Sequence, residues 1–222
     1  MDVARGPAST GPPWAGVELL DRAIAYTRGS LVLVRPDLMT APTPCREWDL
    51  ATLLAHLADS LASLHEAGSC GEVRLAATAY GSPDVRDALG AGTAAVLGAL
   101  PSLTGPRHPE RPGAPAGRGR HSRHDVLVGG RPLTTGVLAG AGALEVAVHG
   151  WDVSVACGHP RPLPDELATE LLRLAPVVVS GDDRPHRFAP ALAAAPGAPS
   201  GQRLLAFLGR PPESAPARAV SR

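Results

Sequence analysis

The chain contains no lysine and no asparagine, and Ile24 is its one isoleucine. The missing types are those with AT-rich codons, which points to a high-GC bacterial source. All 21 basic residues are arginine, and 21 acidic residues balance them to a formal charge of zero. The broad positive field that polyanions need is therefore missing, which argues against nucleic acid or an acidic membrane surface as partner. Cysteine is scarce, and Cys45, Cys70 and Cys157 are an odd, widely spaced set that supports no disulfide framework. The segment from Met1 to Pro13 has no apolar stretch of the kind a signal peptide carries, so a reducing cytoplasm is the expected location. Long hydrophobic runs are also lacking. The most apolar window, Leu133 to Trp151, holds Glu145 and His149 near its end, which is wrong for lipid and reads as a buried helix of a water-exposed fold.

Glycine and proline are plentiful, at 25 and 24 residues, but stay just under the share at which low-complexity disorder becomes the default. Alanine supplies 38 residues, so much of the apolar content is methyl groups suited to close helix contacts. A domain of this length buries roughly 70% of its unfolded surface and needs neither disulfide nor metal to stand.

Hydrophobic spacing predicts a first helix over Gly16 to Val34, closed by Arg35-Pro36, with Gly29 and Ser30 able to break or bend it. An ordered loop leads to Asp49, a plausible N-cap. Leu50, Leu53, Leu54, Leu57, Leu61 and Leu64 then form a single apolar stripe, predicting a second helix to about Ala67. Ser82-Pro83-Asp84 opens a third, ending before Pro101. Residues 101–123 hold five arginines among many Pro and Gly and read as a mobile basic loop. A short extended piece over Asp125 to Pro132 precedes a fourth helix from about Thr134 to Cys157, apolar nearly all round and stopped by Gly158. A fifth begins at Pro164-Asp165-Glu166 and runs toward Val179 with Pro176 as a kink point, and a last short one spans Gln202 to Leu208. The organisation is an up-and-down bundle of four main helices over residues 14–182. A C-terminal extension over 183–222 adds the short helix and a disordered tail. Oligomeric state is not encoded legibly, although Ala/Gly-rich faces permit a homodimer.

Two polar residues stand out in the apolar fourth helix. Glu145 and His149 are four apart and project from one face. A buried ionised Glu is costly unless paired or metal-bound. His56 flanks the leucine stripe of the second helix, where a side chain points into a gap between helices. One carboxylate and two imidazoles from facing helices suit Zn²⁺ or a similar divalent ion with an open position. The alternative from spacing alone is that Glu145 and His149 bond each other and His56 is a rim histidine. Asp152, one turn beyond His149, is either an acceptor for a ligand imidazole or a solvated helix-end residue. Trp151, Cys45 and Cys157 read as packing residues. His65, His108, His121, His124, His159 and His186 read as solvated. Arg123 and Arg131 are candidates for steering an anionic substrate.

The phrase Thr43-Pro44-Cys45-Arg46-Glu47-Trp48-Asp49, followed by Leu53-Leu54-Ala55-His56-Leu57, resembles the start of the mycothiol-dependent maleylpyruvate isomerase family within the DinB-like superfamily. Glu145 to Asp152 resembles its second motif, and Arg203 to Arg210 is similar to the end of short actinobacterial metal-binding members. The resemblance spans residues 16–210. It implies an all-α DinB-like four-helix bundle in which His56, Glu145 and His149 are the metal ligands. It also implies thiol chemistry, in which mycothiol held at the metal as a thiolate attacks an electrophilic carbon, transiently in the isomerase and permanently in related transferases. About 40 residues follow Gly181, shorter than the C-terminal domain of that isomerase, so an Arg from that domain has no clear counterpart and maleylpyruvate is not carried over as substrate. Three functions stay open: a metal-dependent thiol transferase or isomerase, a thiol-independent lyase or cyclase, and a non-catalytic metal-binding or small-ligand-binding protein.

Overall fold

The leucine stripe of the second helix needs a partner of matching shape, and small residues on the fourth provide it. A computed structural model describes residues 13–45, 47–73, 125–184 and 188–211. Within these, α1 spans Pro13–Leu31, α2 Leu50–Cys70, α3 Thr135–Ala156, α4 Asp165–Val178 and α5 Ser200–Phe207. The fold is the expected all-α, DinB-like bundle. The helix predicted from Ser82, the basic loop with Arg123, and the tail after Pro211 lie outside the described residues.

Asp49 caps α2 as expected, its carboxylate accepting from the Thr52 amide at 2.9 Å. The six stripe leucines are all buried. Leu64 packs on α3, where a Cβ at Gly142 would lie 2.6 Å from its methyl. Two turns further along α3, α1 comes so close that a Cβ at Gly150 would lie 2.3 Å from the Thr27 hydroxyl oxygen and 3.0 Å from the Thr27 Cα. That hydroxyl donates to the Val146 carbonyl at 2.8 Å, so the contact that glycine permits is also a buried hydrogen bond.

Several predicted boundaries move. Gly29 and Ser30 do not interrupt α1, because Gly29 leaves room for the Arg161 guanidinium, which donates to the Tyr26 carbonyl and the Ser30 hydroxyl at 2.9 Å each. α1 ends at Leu31 rather than Val34, and α2 continues to Cys70, where Gly71 at φ 71° stops it. α4 runs through Pro176 to Val178. The extended piece is instead a hairpin. β2 (Asp125–Val128) and β3 (Arg131–Thr134) pair antiparallel across Gly129-Gly130, whose φ values of 55° and 77° suit the tight two-residue turn. β1 (Glu72–Val73), which the sequence did not suggest, joins β2 in parallel. Two residues are too few to show alternation. No described helix is long and apolar enough to cross a membrane.

Gly150→Ala tests the α1–α3 contact. Overpacking of about 1–3 kcal/mol against a backbone Cα outweighs roughly 1 kcal/mol of helix propensity. Chemical denaturation should therefore show a net loss of up to about 2 kcal/mol with helix content kept, whereas a stabilised variant would mean that the helices part easily.

Candidate metal centre

α3 presents Glu145 and His149 one turn apart, and α2 brings His56 to the same corner. His56 Nε2 lies 2.5 Å from Glu145 Oε1, and His149 Nε2 lies 3.2 Å from the same oxygen. Ser60 donates to that oxygen at 3.4 Å. The side chains of His56 and Glu145 keep 26% and 31% of their surface exposed, while His149 keeps 9% and Asp152 none. The trio therefore opens to solvent on one side and is closed behind. Trp48 tilts over both imidazoles, with ring centroids 4.7 Å from His56 and 6.1 Å from His149.

Asp152 is not a solvated helix-end residue. It is fully buried, accepts from His149 Nδ1 at 2.9 Å, and is gripped by Arg210, whose Nε and Nη2 reach its oxygens at 2.8 and 2.7 Å. Burial alone would raise the Asp152 pKa, but the Arg210 charge and the bonds from His149 and Arg210 pull it down to about 2. Arg210 is shifted up in turn, because the carboxylate outweighs its own desolvation. Glu145 is held well below the ordinary carboxylate range. Desolvation opposes this, but the His149 charge and bonds from both imidazoles prevail. His149 is raised well above an ordinary histidine despite its burial, since Glu145 faces it on one side and Asp152 on the other.

Cys45 corrects the reading as a packing residue. It is half-buried, 3.6 Å from Asp152 Oδ2, and accepts from Arg210 Nη2 at 3.4 Å. A tight turn holds it there: Thr43 Oγ1 accepts from the Cys45 amide at 3.1 Å, and the Trp48 amide donates to the Cys45 carbonyl at 2.8 Å. Cys157 is buried, as a packing residue would be.

Arg210, to which sequence reasoning gave no role, reaches the site through the end of α5. Gly209 adopts φ 75° and its amide bonds to the Ala206 carbonyl, while the Arg210 amide bonds to the Leu205 carbonyl. These are the two bonds of a Schellman stop. The same turn points the Arg210 side chain into the bundle. The Gly209 stop itself was legible as a Gly after an apolar helical run, but not the group that the residue after it would meet.

Arg131 is exposed on β3 and is not brought to the trio, because Glu145 lies ten residues into α3 and roughly 15 Å along its axis. Arg123 lies outside the described residues. His159 is exposed and His65 sits near Ser69 late in α2, both away from the trio.

Residues 20–154 match the mycothiol maleylpyruvate isomerase N-terminal domain family. The chain belongs to this family. The matched span contains His56, Glu145, His149 and Asp152 and stops short of Arg210, so the isomerase-family domain here is completed by a residue from beyond it. No curated protein and no solved structure matches the chain.

The clamp predicts an acid-side effect in metal-free protein. Because Asp152 titrates near 2 when folded, below the ordinary value of 3.8, its contribution is complete above about pH 4 and is lost as pH falls through 2. Asp152→Asn should remove that slope from a stability-against-pH curve. It should also cost about 3–5 kcal/mol at neutral pH by leaving Arg210 buried without a counter-charge. An unchanged acid limb would show that Asp152 does not carry this linkage.

Proposed function

We propose that this chain is a divalent-metal-dependent enzyme that presents a low-molecular-weight thiol, mycothiol first, to a small electrophilic metabolite for S-transfer or thiol-assisted isomerisation. Family membership supports the isomerase-type chemistry. The observation that carries the metal is the charge and donor arrangement around His149. Two carboxylates flank this one imidazole, and Arg210 balances only one of them. With His149 neutral the cluster keeps one negative charge, and the ligand atoms of His56, Glu145 and His149 lie within 4.8 Å of one another.

That donor set fits Zn²⁺ with an open position. Asp152 accepts from His149 Nδ1–H and so keeps the Nε2 lone pair directed at the corner shared with Glu145 and His56, the tautomer that a ligand imidazole needs. A divalent ion there would lower the pKa of a coordinated thiol and keep it as the nucleophilic thiolate. The protein's own residues do the rest. His56 and Glu145 leave the solvent side open for the thiol, and Trp48 walls the corner above both rings. Asp152 and Arg210 keep water and rotation from the His149 ring.

Two measurements decide this. Purified protein should hold about one divalent ion per chain after dialysis, and a His56→Ala, His149→Ala double variant should lose it while keeping its helices. Mycothiol binding to metal-loaded protein should release about one proton, since a thiol with reference pKa near 8.5 must ionise to ligate. Calorimetry in buffers of different ionisation enthalpy reads this directly, and the release should vanish in Glu145→Ala. Metal binding with no thiol uptake at millimolar concentration would instead favour a thiol-independent lyase or cyclase on the same scaffold.

A further inference from the structure

A second set of metal-ligating atoms lies behind His149. Cys45, His149 and Asp152 also offer one ligand atom each within 4.8 Å of one another. One edge matches what a tetrahedral ion requires and a second is within about 0.4 Å of it. With Zn–S near 2.3 Å and Zn–O or Zn–N near 2.0–2.1 Å, a sulfur–oxygen edge is about 3.5 Å and a nitrogen–oxygen edge about 3.3 Å. The observed separations are 3.6 Å from Cys45 Sγ to Asp152 Oδ2 and 2.9 Å from His149 Nδ1 to the same oxygen. A thiolate is the softest donor near His149, so this set would compete for zinc with the His56 side.

A cation already stands there. Arg210 Nη2 is 2.7 Å from Asp152 Oδ2 and 3.4 Å from Cys45 Sγ, and Nε bonds both Asp152 oxygens at 2.8 and 3.1 Å. The guanidinium is permanently charged and keeps only 10% of its side-chain surface exposed. We propose that Arg210 is a built-in cation that closes a second metal site formed by Cys45, His149 and Asp152, and so confines a divalent ion to the His56 side of His149. This rests on the reading that His56, Glu145 and His149 hold the ion.

The two sets share one imidazole, entered through Nδ1 on the Cys45 side and Nε2 on the His56 side. A ligand histidine normally spends its other nitrogen on a hydrogen bond, so occupation of one side disfavours the other. By filling the Cys45 side with a group that can only donate, Arg210 commits Nδ1 to Asp152 and leaves Nε2 as the donor. It also leaves Cys45 out of the coordination shell, so that a sulfur at the ion must come from an exogenous thiol. Gly209 makes this possible, because the turn at the end of α5 is what aims Arg210 inward.

Cobalt substitution separates the outcomes, since thiolate ligation to Co²⁺ gives a charge-transfer absorption that imidazole and carboxylate do not. Wild-type protein titrated with Co²⁺, without added thiol, should lack this band. Arg210→Met should develop it, as Cys45 loses its thiol proton to solvent on coordination, and adding Cys45→Ser should abolish it. Arg210→Lys, which keeps a cation on a similar stem, should show it only weakly. A band already present in wild type, or none in Arg210→Met, overturns the proposal. Should Arg210→Met lose its helices without metal, Co²⁺ should restore them together with the band, and a variant that stays unfolded at saturating Co²⁺ also overturns it. Failure of the underlying metal reading looks different: wild type would take up no Co²⁺, or would keep it in His56→Ala.

Discussion

A carboxylate removed wholly from water must be met by positive charge and hydrogen bonds, and at Asp152 this requirement organises the protein. Its two oxygens accept from Arg210 and His149, which ties the end of α5 to the C-terminal turns of α3. Loss of the Arg210 contact would leave a buried charge uncompensated, a cost of several kcal/mol. The same contacts fix the ring of His149, and the orientation of His149 decides what the corner with Glu145 and His56 can bind. The C-terminal segment is thus part of the site rather than an appendage to the bundle.

Close helix approach sets the distances around this clamp. Gly142 admits Leu64 from α2, and Gly150 admits Thr27 from α1. A larger residue at position 150 would press on the Thr27 backbone and part α1 from α3, and one at position 142 would force the Leu64 side chain out of the α2–α3 seam that carries His56 and Glu145. The alanine- and glycine-rich composition is therefore a geometric condition for the site, and not only a consequence of base composition.

Much of this was legible in the sequence, for identifiable reasons. The leucine stripe of α2, the Asp49 cap and the Gly158 stop are local signals, and each was placed correctly. His56, Glu145 and His149 could be nominated because a charged residue in an apolar helix demands a partner, and the structure does bring the three together. The Cys45–Asp152–Arg210 contacts were not legible. They join residues 107 and 165 positions apart from Cys45, and nothing in periodicity reports which loop residue meets which helix end. β1 was missed because two residues carry no pattern, and Gly29 was misread because the need for space came from Arg161, far along the chain.

The proposed function requires an ion held by two imidazoles and one carboxylate, with a position left for a sulfur that the protein does not itself supply. X-ray absorption at the zinc edge tests this most directly. Thiol-free protein should show a shell of nitrogen and oxygen only, and after addition of mycothiol one sulfur at about 2.3 Å. A sulfur already present before thiol is added, or a shell unchanged by thiol, would contradict it.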